Sequence, residues 1–255
     1  MTQANEVVRV AAVGDIHYGK TSQGSLQELF AQINSLADVL VLCGDLTDYG
    51  LPEEAEILCR DLAAVRIPMV GVLGNHDFES GKADDVRQAL CDHGVTMLDG
   101  DSCEIHGVGF AGVKGFAGGF GRGALGPWGE PAIKQFVQEA LDEALKLETA
   151  LARLRGRRNI AVLHYAPIQA TVEGEPPVIF PFLGSSRLEE PLNRYPVDAV
   201  VHGHAHHGTP EGQTQTGIPV YNVSHGLLKT AYPDQPAVRI IELSLAEPAD
   251  EQAAG

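Results

Sequence analysis

The chain has 255 residues, 44% of them hydrophobic and 20% charged, enough to bury a sizeable core as one large domain or two small ones. Its 34 acidic residues against 18 basic ones leave a net charge of −16. That excludes an extended nucleic-acid or anionic-membrane surface, which needs clustered Lys and Arg.

In chain order, the first element is an apolar strand at Val7–Val13. Leu26, Leu29, Phe30, Ile33 and Leu36 then fall at helical spacing before a second strand at Val39–Cys43. Pro52-Glu53-Glu54 suits a helix start, and Ala55, Leu58, Leu62 and Val65 continue that helix to a third strand, Pro68–Leu73. A short helix is expected over Asp84–Leu90, closed by Gly94, and short strands with turns over Met97–Val113. A long amphipathic helix at Ala132–Leu154 carries Ile133, Phe136, Val137, Ala140, Leu141, Ala144, Leu145 and Leu151 on one face. That face is expected to pack on the sheet, the alternative being a dimer seam. Further strands are predicted at Ile160–Leu163, Val197–Val201, Val220–Val223 and Val238–Leu243. Strands alternating with helices imply a parallel sheet, in an α/β domain spanning residues 1–245 with a disordered tail at 246–255.

No apolar run reaches the ~18 residues of a membrane span, and the N-terminus has no leader pattern, so the expected location is cytoplasmic, with no membrane partner. Cys43, Cys59, Cys91 and Cys103 form no CxxC pair and read as reduced thiols, which fits that compartment. Two GxGxxG matches, Gly107–Gly112 and Gly121–Gly126, lack a helix opening on the third glycine and read as loop.

The informative positions follow the five most apolar strands. They read Gly14-Asp15-Ile16-His17, Gly44-Asp45-Leu46-Thr47-Asp48, Gly74-Asn75-His76-Asp77, His164, and Gly203-His204-Ala205-His206. Strand carboxyl ends are where open α/β folds bind ligands. A glycine before Asp15, Asp45, Asn75 and His204 is expected to let the backbone turn sharply there. Two carboxylates, a carboxamide and four imidazoles exceed one four-coordinate ion but suit two ions sharing a carboxylate. The mixture favours Zn, Mn, Fe, Co or Ni over calcium. Such a pair would attract a small phosphate ester despite the acidic surroundings.

These blocks, in this order from Val10 to His206, resemble the calcineurin-like metallophosphoesterase superfamily. The resemblance implies a four-layer α/β/β/α sandwich with two mixed β-sheets. It assigns Asp15, His17 and His206 to one metal, and Asn75, His164 and His204 to the other, with Asp45 bridging. His76 would contact the phosphate or act as general acid, with Asn75 beside it in the substrate site and Asp77 or Asp48 orienting its ring. His202 and His207 are expected to be structural. The run GDLTDYGLPEEAEIL with RIPMVGVLGNHDF is similar to the class III cyclic-nucleotide phosphodiesterase branch. The purple acid phosphatase branch fits less well, because Asp48 stands where that subgroup has a metal-binding tyrosine. The protein-phosphatase branch usually has Glu in place of Asp77.

The implied reaction is hydrolysis of a phosphodiester, with cyclic nucleotides among the candidates, by a metal-bridging hydroxide. A phosphomonoesterase or nucleotide pyrophosphatase on the same site is the alternative, and a non-catalytic protein-binding scaffold is a further one. Loops 115–129 and 168–181 are placed near the site mouth, with Lys114, Arg122 and Arg187 as candidate phosphate clamps and His225 as a residue that could approach the metals.

Overall fold

The computed structural model describes residues 7–246, so all but the first residue of the tail expected to be disordered lies outside them. The first half of the chain forms β1 (Val7–Val13), α1 (Gln27–Leu36), β2 (Val39–Cys43), α2 (Pro52–Leu62), β3 (Met69–Val72), α3 (Ala83–Asp92) and β4 (Val95–Met97). A hairpin of β5 (Asp101–Ile105) and β6 (Val108–Gly112) leads to α4 (Pro131–Ala152) and β7 (Arg158–Val162). The remainder comprises α5 (Phe180–Leu183), α6 (Ser186–Leu192), β8 (Ala199–His202), β9 (Glu211–Gln213), β10 (Pro219–Asn222), α7 (His225–Ala231) and β11 (Arg239–Ser244).

Two mixed sheets result, ordered β11-β1-β2-β3-β4 and β5-β6-β7-β8-β10-β9. In the first, β1 to β4 are parallel and β11 returns antiparallel to β1. In the second, β6, β7, β8 and β10 are parallel, with β5 and β9 antiparallel at the edges. The strands expected in one parallel sheet are therefore divided, β1, β2 and β3 in one and β7 and β8 in the other. Strand alternation explains how both sheets are covered. Val10, Val41, Val72, Val162 and Val201 point into an apolar layer between the sheets. Their neighbours Ala11, Leu40 and Leu42 face Phe30, Ile33, Leu58 and Leu90 of α1 to α3. On the far side, Ala161, Leu163 and Val200 face Leu147, Leu151 and Leu188 of α4 and α6. Three apolar layers separate four structural ones, α/β/β/α, and each fully buried Val or Leu contributes about 1.5–3 kcal/mol.

Helix α4 packs on the second sheet, but its stripe is rotated from the predicted one. Val137, Ala140, Leu147, Ala150 and Leu151 are buried, whereas Leu141 and Leu145 are exposed. Glu143 takes a place in the buried stripe, where its carboxylate accepts the Gly115 N–H at 2.7 Å and pairs with Lys146 at 2.8 Å. A polar residue in the apolar register is what displaced the sequence reading. The four cysteines are unpaired. Neither GxGxxG match opens a helix: the first covers the β5–β6 turn and β6, the second a loop with one 3-10 turn at Gly121–Gly123. Among the described residues, no helix is long and apolar enough to cross a membrane.

Candidate metal centre

The carboxyl ends of β1, β2 and β3 face those of β7 and β8 across the junction of the two sheets. Backbone bonds tie them together: Asp15 N–H donates to Gly44 O at 2.9 Å, His17 N–H to Asp45 O at 3.0 Å and Gly203 N–H to His164 O at 3.1 Å. Asp15, His17, Asp45 and His204 all adopt positive φ, at 54°, 43°, 48° and 69°. Left-handed backbone at four non-glycine residues stores strain that the surrounding structure must hold, a pattern concentrated at functional sites.

The glycines before these residues act differently from expectation. Of Gly14, Gly44, Gly74 and Gly203, Gly44 alone has positive φ. They are required by close approach: a Cβ on Gly74 would lie 2.2 Å from the Asp45 carboxylate, one on Gly44 2.6 Å from the His164 ring, and one on Gly203 2.3 Å from Asp15 Oδ2. Gly203→Ala should therefore weaken metal affinity at least about tenfold by displacing the Asp15 carboxylate, with the far-UV circular dichroism unchanged. Unaltered metal affinity in a titration would contradict this.

Three groups of donors emerge, with donor atoms in each within 4.8 Å of one another: Asp15, His17, Asp45 and His206 in the first, Asp45, His164 and His204 in the second, these two sharing Asp45, and His17, Asp48 and His76 in a third. In the first, Nε2 of His17 and Nε2 of His206 stand 3.4 Å apart, and His206 Nε2 lies 3.0 Å from Asp15 Oδ1. In the second, His164 Nε2 lies 2.9 Å from Asn75 Oδ1 and 3.3 Å from Asp45 Oδ1. The Asp45 carboxylate turns its other oxygen toward the first group, with Oδ2 4.0 Å from His17 Nε2. It is 1% exposed and common to the first two groups, the position a bridging ligand needs.

Ring tautomers fit two cations. His164 Nδ1 donates to the Cys43 carbonyl at 2.9 Å, so Nε2 is the ring atom presented to the oxygens of Asn75 and Asp45. His204 Nε2 donates to the Phe182 carbonyl at 3.2 Å, leaving Nδ1 as the free donor atom. Lone pairs facing lone pairs in a buried space are repulsive unless a cation lies among them.

Protonation equilibria separate the rings. Burial alone pushes the Asp15 carboxyl up, but the hydrogen bond from His206 and the charge of that ring outweigh it and bring it down to about 2. His206 is raised in turn, chiefly by that same hydrogen bond, so this ring must release a proton before it can ligate. Burial lowers His17, and burial reinforced by the neighbouring His164 lowers His204 to about 3, so both rings are neutral and ready to ligate at neutral pH.

His76 sits beside this centre, its ring 4.6 Å from that of His17. The orienting partner is not a carboxylate: Nδ1 donates to the backbone carbonyl of Asp48 at 2.7 Å. The Asp48 side chain faces His17 instead, 3.9 Å from Nδ1. Asp77 lies wholly buried away from the ring. Its oxygens accept the N–H groups of Leu46 (3.1 Å), Thr47 (2.8 Å) and Gly74 (2.8 Å) and the Thr47 hydroxyl (2.6 Å), lashing the β2 and β3 loops together. Burial and the nearby Asp45 charge raise its carboxyl above the usual range. Asp77→Ala should cost on the order of 3 kcal/mol of stability, read as a lower urea midpoint, because buried donors lose their acceptor. A midpoint equal to the parent's would rule that out.

His202 is buried between the Gly203 carbonyl (2.7 Å) and the Thr171 hydroxyl (2.8 Å), and burial lowers it to about 4. His207 is exposed at the surface, with its backbone N–H on Glu175. His225 opens α7, its N–H bonded to Gly14 O, and joins none of the three donor groups. Lys114 Nζ bonds Gly115 O among the rings of Phe78, Phe116 and Tyr165, Arg187 bonds Leu125 O, and Arg122 is exposed. Sequence reasoning missed Cys43 O and Phe182 O, whose backbone role carries no residue-type signal.

Residues 8–208 match the calcineurin-like phosphoesterase family, and the chain belongs to it. Its members are metal-dependent phosphoester hydrolases with a dinuclear centre, and the donor groups above could hold such a pair. The fold is similar to phosphopantetheinyl hydrolase from Mycobacterium tuberculosis, at 15% identity and a TM-score of 0.63, covering 96% of this chain and 98% of that one. It is also similar to TT1561 of Thermus thermophilus, at 14% identity and 0.54 over 94% and 100% of the two chains. A putative 5'-nucleotidase from Staphylococcus aureus aligns at 15% identity and 0.52, over 85% of this chain and 48% of that one. No curated protein matches by sequence.

Proposed function

We propose that the chain hydrolyses a phosphodiester of a small molecule in the cytoplasm, with Asp15, His17 and His206 holding one ion, Asn75, His164 and His204 the other, and Asp45 both. The observation that carries this reading is the position of Asp45, one carboxylate oxygen toward each of the two groups that share it. When bound, two divalent ions supply a nucleophile at neutral pH and offset charge on the phosphoryl oxygens. The chain's own residues do the rest. The Asp48 carbonyl holds the His76 ring by Nδ1, so Nε2 is the atom free to meet substrate. As imidazolium it would donate there to a phosphoryl or leaving oxygen. Asn75 adds a polar side chain beside it.

A diester is supported over a monoester by charge. Lys114 and Arg187 are engaged with carbonyls, so no additional clamp comes from either of them for a phosphate dianion. The singly charged diester needs less compensation. Cyclic nucleotides belong to the same class, as the sequence resemblance suggests, and the likeness to phosphopantetheinyl hydrolase extends the range of organic groups to be tried. Purified chain loaded with Mn should hydrolyse bis-p-nitrophenyl phosphate faster than p-nitrophenyl phosphate, and chelator should abolish both. Faster hydrolysis of the monoester would overturn the diester assignment; inactivity on both with metal bound would remove the catalytic one.

A further inference from the structure

Next to His204 lies an apolar cavity of about 470 Å³, walled by Leu125, Ala132, Ile133, Phe136, Pro181 and Phe182. Its volume falls in the range of small-molecule sites, roughly 300–1,000 Å³, and none of its walls is charged. Two sets of contacts connect its walls to the metal centre. Phe182, a wall residue, accepts the Nε2 hydrogen of His204 on its carbonyl at 3.2 Å. A chain of rings runs the same way: His204 to Tyr165 at 4.4 Å between centroids, Tyr165 to Phe116 at 5.9 Å, and Phe116 to the wall residue Phe136 at 4.9 Å. Phe182 is 59% exposed although apolar, a cost in water that an apolar occupant would remove.

Resting on the phosphodiesterase reading above, we infer that this cavity receives an uncharged aliphatic group esterified to the phosphate held at the metal centre. The uncharged walls select against a second ionic group, and the hydrogen bond between Phe182 and His204 places the pocket beside the phosphorus-bearing end. The pocket is built from the loop after β6, the first turns of α4 and the start of α5. Backbone bonds from Gly118 N–H to Pro181 O at 2.7 Å and from Leu125 N–H to Gly118 O at 2.7 Å hold these segments together. Specificity thus resides in segments that the ligand-bearing strand ends do not include.

The test measures binding of methyl, butyl and hexyl phosphate to the Mn-loaded full chain by calorimetry, alongside hydrolysis of methyl p-nitrophenyl phosphate. Affinity should rise about two- to fourfold per methylene, hence roughly 30-fold or more from methyl to hexyl. Ile133→Asn should keep the methyl phosphate affinity and flatten the series, and Ala132→Asp, at an exposed wall position, gives the same readout should the first variant fold poorly. Equal affinity for the three phosphates in the parent, or an unflattened series in both folded variants, overturns the subsite. Hydrolysis with a flat series leaves the phosphodiesterase reading intact and removes the subsite. A steep series without hydrolysis does the reverse.

Discussion

Asp45→Asn is expected to lower kcat/KM by three orders of magnitude or more and to reduce bound metal below one ion per chain. The loss corresponds to about 4 kcal/mol or more of transition-state stabilisation. Asp45 follows β2 in left-handed backbone, is 1% exposed, and turns one oxygen toward each of the two groups that share it. Asn keeps the shape, and its single oxygen could still accept the His76 N–H that Asp45 Oδ1 now takes at 2.8 Å. It cannot supply a negative charge to both ions. Activity and metal content should therefore fall together, while the folded signal persists. Full metal content in an inactive variant would place Asp45 outside the bridging role.

His76→Ala should separate those two quantities. Its ring adjoins His17 and is held by the Asp48 carbonyl, but it belongs to neither group that shares Asp45. Rate should drop about 10²- to 10⁴-fold, the range for a lost proton donor, with elemental analysis still finding both ions. The loss should also shrink for substrates with good leaving groups, such as p-nitrophenolate, which need less protonation. If rate stays within twofold of the parent on a poor leaving group, the assigned contact is wrong.

The candidate ligands were legible because Asp, Asn and His interrupt otherwise apolar strand ends, and their spacing follows the βαβ repeat. Which strand enters which sheet was not, although the family resemblance implied two mixed sheets. Val39–Cys43 and Ile160–Val162 are equally apolar, since both are buried on two faces, and nothing in such a run names its neighbours. Strand β11 illustrates the same point, pairing with β1 from the opposite end of the chain. Glycines were visible as residues, but their purpose depends on a neighbour across the junction, as with Gly203 against Asp15. The orientation of His76 was misjudged because a backbone carbonyl has no signature in sequence. Residues 168–192, rich in Pro and Gly, hide short helical turns and α5 and α6, each too brief to show a period.

Anomalous diffraction from a crystal of the Mn-loaded chain decides whether one buried carboxylate, Asp45, serves two cation sites. Two peaks are expected flanking Asp45, one against Asp15, His17 and His206, the other against Asn75, His164 and His204. One peak, or two that do not share Asp45, would contradict it.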